Sequence, residues 1–118
     1  MTYDGQIDMS IYEKYEAVFW GAFVNGSLVG CNSGHKCDEE YFRSRGIYIE
    51  PEYRGNGIAS SLLNTTCAYA SSVGCKYVWC MPRDGSHIVH KKVGFEITSP
   101  WFNENMEYGP NCYARKTL

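Results

Sequence analysis

The chain contains no lysine- or arginine-rich run, no apolar stretch of membrane-spanning length and no Cys-x-x-Cys pair. With a net charge of −2, the first absence removes the electrostatic footprint of a nucleic-acid partner. The second excludes a membrane-spanning helix. The N-terminus also lacks the charged, apolar and small-residue order of a signal peptide, so the expectation is a soluble cytoplasmic protein with no membrane partner. Internal repeats and low-complexity segments are missing too. The six cysteines, Cys31, Cys37, Cys67, Cys75, Cys80 and Cys112, form an even set of the kind seen in disulfide frameworks. Two of them argue otherwise. Cys67 falls in a helix-like run and Cys80 in a buried-looking strand, where cysteine behaves as a small hydrophobe. Reduced thiols are therefore expected. Cys31, His35 and Cys37 have neither a fourth ligand nor regular spacing, so no metal is expected.

What is present fits one folded domain over residues 1–118, with an apolar fraction of 44% and ten tyrosines. That length supports a real core, but not two. The most informative stretch is Arg54-Gly55-Asn56-Gly57-Ile58-Ala59. An apolar run, Ile47-Tyr48-Ile49, and a Pro51-Glu52-Tyr53 turn precede it, and the helix-like Ser60-Ser61-Leu62-Leu63 follows. In a strand–loop–helix order, the glycines let the backbone approach a ligand. The first helical turn leaves its N–H groups, up to Ser60, unpaired and at the positive end of the helix dipole. This is a cradle for phosphate, to which Arg54 can add a charged contact. The loop lacks the Gly-Lys-Ser/Thr ending of a nucleotide P-loop and the Gly-x-Gly-x-x-Gly spacing of a dinucleotide fingerprint. Taken alone, Gly55-Asn56-Gly57 also reads as a plain turn.

The remaining pattern alternates strands and helices. Ala17–Val24 and Leu28–Ser33 are predicted strands around Asn25-Gly26, a strong hairpin signal. Gly34–Ser44 reads as a polar, acidic loop and Arg45–Glu50 as the next strand. A helix runs from Asn56 or Gly57 to about Val73, with Ile58, Leu62, Leu63, Thr66 and Ala70 on its core face and Gly74 after its end. Lys76–Met81 closes a strand–helix–strand unit, which favours parallel neighbours. A short helix over Ser86–Val93 and strands over Phe95–Thr98 and Cys112–Thr117 complete the pattern. Met1–Glu16 is a short helix candidate through Ile7, Ile11 and Tyr15, and Ser99–Pro110 is a long connection.

The thirteen residues Ile47 to Ala59 resemble the acyl-CoA loop of the GNAT superfamily of N-acetyltransferases. Its signature is Arg or Gln, two residues, Gly, one residue, then Gly or Ala, which Arg54, Gly57 and Ala59 meet in register. Lys91-Lys92-Val93-Gly94-Phe95 is similar to the end of that family's late helix. The resemblance covers roughly residues 17 to 118 and fails at the front, where few residues stand for the first strand and two helices. It implies an α/β (α+β) fold: a mixed, mostly antiparallel sheet with a central splayed parallel pair and helices on both faces. Acetyl-CoA would be the co-substrate, its pantetheine arm pairing with the main chain of Ile49 and Glu50. The amides of Arg54, Gly55, Asn56, Gly57, Ile58 and Ala59 would hold its pyrophosphate. Arg83 stands where the family often has an asparagine near the cofactor, and could reach a phosphate or lie in solvent.

The implied chemistry is direct transfer of an acetyl group to a primary amine on a small molecule or peptide. The family commonly protonates the leaving thiolate with a tyrosine four residues before the glycine of the late helix. His90 stands there, either as a general acid or with no role. No base transfers by position. Glu50, Glu39, Glu40 and His87 lie in the general region, and a water chain would serve as well. Asp38-Glu39-Glu40, Glu104 and Glu107 could attract a cationic amine. The reduced front end implies an open acceptor site, a site completed by a partner subunit as in a homodimer, or a fragment of a longer chain. Two alternatives remain: a non-catalytic acyl-CoA-binding module and a small structural α/β protein.

Overall fold

The computed structural model describes residues 16–83, 86–101 and 110–118. The candidate helix at Met1–Glu16, apart from Glu16, and most of the Ser99–Pro110 connection lie outside them. Strand β1 (Val18–Val24) turns through Asn25 and Gly26, both at positive φ of 50° and 82°, into β2 (Ser27–Lys36). Positive φ at both central residues belongs to the hairpin turn that matches strand twist, and Asn and Gly are the residues that tolerate it. Strand β3 (Tyr41–Ile49) follows, then a 3₁₀ turn (Pro51–Tyr53) and helix α1 (Ile58–Ser72). Strand β4 (Tyr77–Cys80), helix α2 (His87–Lys92) and strands β5 (Glu96–Ile97) and β6 (Ala114–Thr117) complete the described chain.

These strands form one six-stranded sheet in the order β1-β2-β3-β4-β6-β5. Only β3 and β4 pair in parallel. The crossover between them is α1, as the strand–helix–strand pattern requires. Helix α1 buries Leu62, Leu63, Thr66, Cys67 and Ala70 and packs across β1 to β4. The core centres on Phe42, Val78, Cys80, Phe95 and Ala114. Full burial of a side chain such as Leu63 or Val78 contributes about 1.5–3 kcal/mol. Gly74 and Gly94, at φ of 89° and 103°, stand just beyond the two helices.

The expected loop over Gly34–Ser44 is mostly strand. Strand β2 runs on to Lys36 and β3 begins at Tyr41, leaving only a four-residue turn. The side-chain Oδ1 of Asp38 accepts the N–H groups of both Glu40 and Tyr41 at 2.8 Å. One aspartate thus closes a turn that composition alone made look like a loop. The acidic residues are also committed: Glu39 pairs with Lys36 and Glu40 with Lys76, each at 3.3 Å. All six cysteines are free thiols, and burial pushes Cys67, Cys75, Cys80 and Cys112 up from the ordinary thiol range. Among the described residues, no helix is long and apolar enough to cross a membrane.

Candidate functional site

The parallel pair is zipped only at its base, through Tyr41–Tyr77, Phe42–Val78 and Arg43–Trp79. Beyond Cys80 the chain leaves β3. Arg83 bridges to Asn111, Cys112 N–H donates to Pro82 O at 3.2 Å, and Asn111 Nδ2 donates to Met81 O at 3.0 Å. Strand β3 continues to Ile49 with β2 on one edge and a gap on the other.

The ladder phase fixes what faces that gap. Gly30 lies opposite Ile49 and Asn32 opposite Ile47, and Glu50 N–H donates to Val29 O at 2.8 Å. In an antiparallel ladder this phase turns the N–H and C=O of Ile47 and Ile49 away from β2, into the gap. Arg54 Nε takes the Ile49 carbonyl at 2.8 Å. The N–H of Glu50 is committed to β2, and Glu50 lines neither cavity described below.

At the mouth of the gap the loop enters α1. Gly55 and Gly57 sit at φ of 82° and 79°, and a Cβ at either would meet nothing within 4 Å. Glycine is favoured there by the left-handed backbone, which Asn and Asp also tolerate, and the space beside it is open. Asn56 Nδ2 holds the loop by donating to Tyr53 O at 3.2 Å. The helix has no side-chain cap and no acidic residue in its first turn. The amide of Ser61 bonds back to Gly57 O at 3.1 Å, so those of Ile58, Ala59 and Ser60 precede the first intrahelical bond. A groove of about 540 Å³ joins this helix end to the gap, with Ile49, Arg54, Gly57 and Ser60 on one side and Arg83 and Val89 on the other. The cofactor-binding residues expected from sequence thus meet here, apart from Glu50 and from Asn56, which braces the loop.

Deeper in the splay lies a slot of about 50 Å³, lined by Ser44, Gly46, Cys80, Arg83, His90 and Asn111. His90 is buried, stands edge-on to Phe95 and places Nδ1 2.8 Å from Ser86 O. A carbonyl only accepts, so Nδ1 carries the proton and Nε2 is a bare acceptor. Burial, with a smaller push from His87, holds its pKa below the usual 6.5 against that hydrogen bond. Asn111 Oδ1 is buried without a partner. Among the described residues, neither cavity is lined by a carboxylate, and no group of His, Cys, Asp or Glu is arranged to hold a metal ion. Glu39, Glu40 and His87 also lie outside both cavities. Glu104 and Glu107 fall outside the described residues.

Sequence reading placed Thr66 on the core face of its helix without a polar role, and gave no role to Asn32, Ser44 and Asn111. All four are buried polar residues. The available signals were a strand asparagine, which strands disfavour, and a threonine on the apolar face of a helix.

His35 is the second buried imidazole. Its Nδ1 lies 3.0 Å from Lys36 O and its Nε2 3.5 Å from Arg45 Nη1. Burial first, then Arg45 and Arg43, lowers its pKa despite the carbonyl contact. With both folded pKa values below 6.5, the unfolded chain binds more protons in the window beneath 6.5. Stability therefore rises with pH across that window and is lost as pH falls through it. The expected result is a melting temperature that drops from pH 7.5 to 5.0, with a smaller drop in His90→Gln and His35→Phe. Resonances assigned to His35 and His90 titrating above 6.5 would contradict it.

The sequence model of the acetyltransferase (GNAT) family matches residues 2–95. Solved structures share the fold. A GNAT acetyltransferase from Elizabethkingia anophelis with acetyl-CoA bound has a TM-score of 0.73 at 19% identity, covering 86% of this chain and 76% of its own. Ard1 from Thermoplasma volcanium has 0.76 at 23%, covering 85% and 70%. An aminoglycoside 6'-N-acetyltransferase complexed with coenzyme A has 0.74 at 17%, covering 86% and 73%. The family match spans most of the chain and takes in the splayed pair, the glycine loop and the late helix; the chain belongs to the acetyltransferase (GNAT) family.

Proposed function

We propose that this chain is an acetyl-CoA-dependent N-acetyltransferase that acylates a primary amine on a small molecule or peptide by direct transfer. One observation carries the reading: an unzipped parallel pair opens onto the bare N-terminus of α1. The pyrophosphate of acetyl-CoA would lie against the amides of Ile58, Ala59 and Ser60 and the open faces of Gly55 and Gly57. The pantetheine amides would pair with Ile47 and Ile49, and Arg83 would reach a phosphate from the opposite wall. The acetyl group would then stand in the slot. His90 and Asn111 line that slot, and an incoming primary amine would bring an N–H donor for His90 Nε2, the ring nitrogen left bare by the Ser86 contact. Six free thiols suit a reducing compartment, in keeping with work in the cytoplasm.

In the transfer, the amine nitrogen bonds to the acetyl carbon and the carbon–sulfur bond breaks. The amine must lose a proton and the thiolate must gain one. His90 starts neutral with Nε2 bare, so it takes the proton from the amine nitrogen and then passes it to sulfur. The test is calorimetric titration with acetyl-CoA, followed by thiol release against a panel of amines. Micromolar binding with amine-dependent thiol release is expected. Binding without turnover across the panel would favour the acyl-CoA-binding module, and no binding would remove both readings.

A further inference from the structure

We propose that Asn32 is a positioning residue for acyl transfer, holding a bulge in β3 so that two backbone N–H groups point into the splay at the site of the acetyl carbonyl. The proposal rests on the acetyltransferase reading. Between the pairs Gly34–Ser44 and Asn32–Ile47, two steps along β2 face three along β3, so β3 carries one extra residue at Arg45–Gly46. Such bulges re-aim backbone groups.

Here the bulge is pinned from one side. Asn32 Nδ2 donates to Gly46 O at 3.1 Å and lies 3.3 Å from both Arg45 O and Ser44 Oγ. A trans peptide points its N–H opposite to its carbonyl. With the Arg45 and Gly46 carbonyls turned toward Asn32, the amides of Gly46 and Ile47 turn away from β2. They enter the gap where β4 has stopped pairing, and Gly46 and Ile47 both line the slot. Two adjacent donors in a narrow slot are suited to an oxyanion.

The pin is itself locked. Asn32 is 1% exposed, and its Oδ1 accepts from the fully buried Thr66 hydroxyl. That bond fixes which end of the amide faces the bulge. It also ties the bulge to α1, the helix whose first turn faces the groove. An aspartate at position 32 would set a carboxylate against two carbonyl oxygens, and a leucine would leave the bulge carbonyls without their donor.

The experiment compares wild type, Asn32→Leu and Thr66→Val. Three readouts are used: CoA affinity by calorimetry, kcat at saturating amine, and the carbonyl stretch of bound [1-¹³C]acetyl-CoA by difference infrared. Wild type should lower the stretch relative to free acetyl-CoA. In Asn32→Leu the lowering should vanish and kcat should fall about 10²–10³-fold, the usual cost of an oxyanion donor. CoA affinity should stay within about threefold, because the phosphate contacts are made elsewhere. Thr66→Val frees the amide to turn. It should cut kcat about three- to tenfold with part of the shift lost, and it decides the matter if Asn32→Leu does not fold. An unchanged stretch and kcat in the folded variants overturns the proposal alone. So does an affinity loss matching the loss of kcat, which marks a structural role. Failure of wild type to bind acetyl-CoA overturns the acetyltransferase reading and this proposal with it.

Discussion

Gly57→Asp is expected to lower CoA affinity about 100-fold at low salt while the protein stays folded, a loss of roughly 2.7 kcal/mol. The position stands at φ of 79° immediately before α1, and a side chain there meets nothing within 4 Å. Aspartate is among the residues that tolerate a left-handed backbone, so the fold should survive. The carboxylate would occupy the space beside the amides of Ile58, Ala59 and Ser60, repel the pyrophosphate and compete for the same donors. Gly57→Asn has nearly the same shape and the same backbone tolerance without the charge. It should lose far less affinity, and the gap between the two should narrow as salt rises. Calorimetric titration of CoA into both variants, with melting curves as the control for folding, gives the comparison. Equal affinities for folded Gly57→Asp and wild type would remove the phosphate assignment from this loop.

The parts legible in the sequence were those written in local backbone chemistry. Asn25-Gly26 gave the hairpin because few residues accept two consecutive positive φ values. The core face of α1 followed from helical spacing, and Gly57 and Gly74 marked its ends within a residue or two. The parallel pairing of β3 with β4 followed from the intervening helix. The extension of β2 and β3 through Gly34–Ser44 was not legible. Over that stretch the buried face sets Phe42 beside Gly34 and Ser44, one large apolar residue among small and polar ones, so no alternation of apolar residues announces a strand. The site divides the same way. The glycine loop at the mouth of the groove is contiguous and was readable. The bulge pin joins Asn32, Ser44 and Thr66 from three elements, and no local pattern links them. Glu50 shows the limit of carrying a role by position. It adjoins the loop in sequence, yet the strand phase commits its N–H to β2.

His90→Gln should reduce acetyl transfer by about 10²–10⁴-fold, the range of general acid–base assistance, and leave CoA affinity nearly intact. Glutamine can still hydrogen-bond in the cavity but cannot carry a proton between two partners. It is preferred to alanine because His90 is 3% exposed and packs edge-on against Phe95, so truncation would add a cavity cost to any catalytic one. His90→Tyr restores the residue type common at this place in the family. It should recover part of the rate through a phenol that can protonate sulfur directly. The pH dependence supplies a second readout. Because His90 works only when Nε2 is bare, its protonation should inhibit, and its pKa lies below the usual 6.5. With an acceptor that stays neutral at mildly acid pH, such as an aromatic amine, the acid limb of kcat should have its midpoint below 6.5. His90→Gln should abolish that acid limb. A His90→Gln rate within about twofold of wild type, far under the general-acid range, would remove His90 from the proton path and leave it as a buried packing residue on α2.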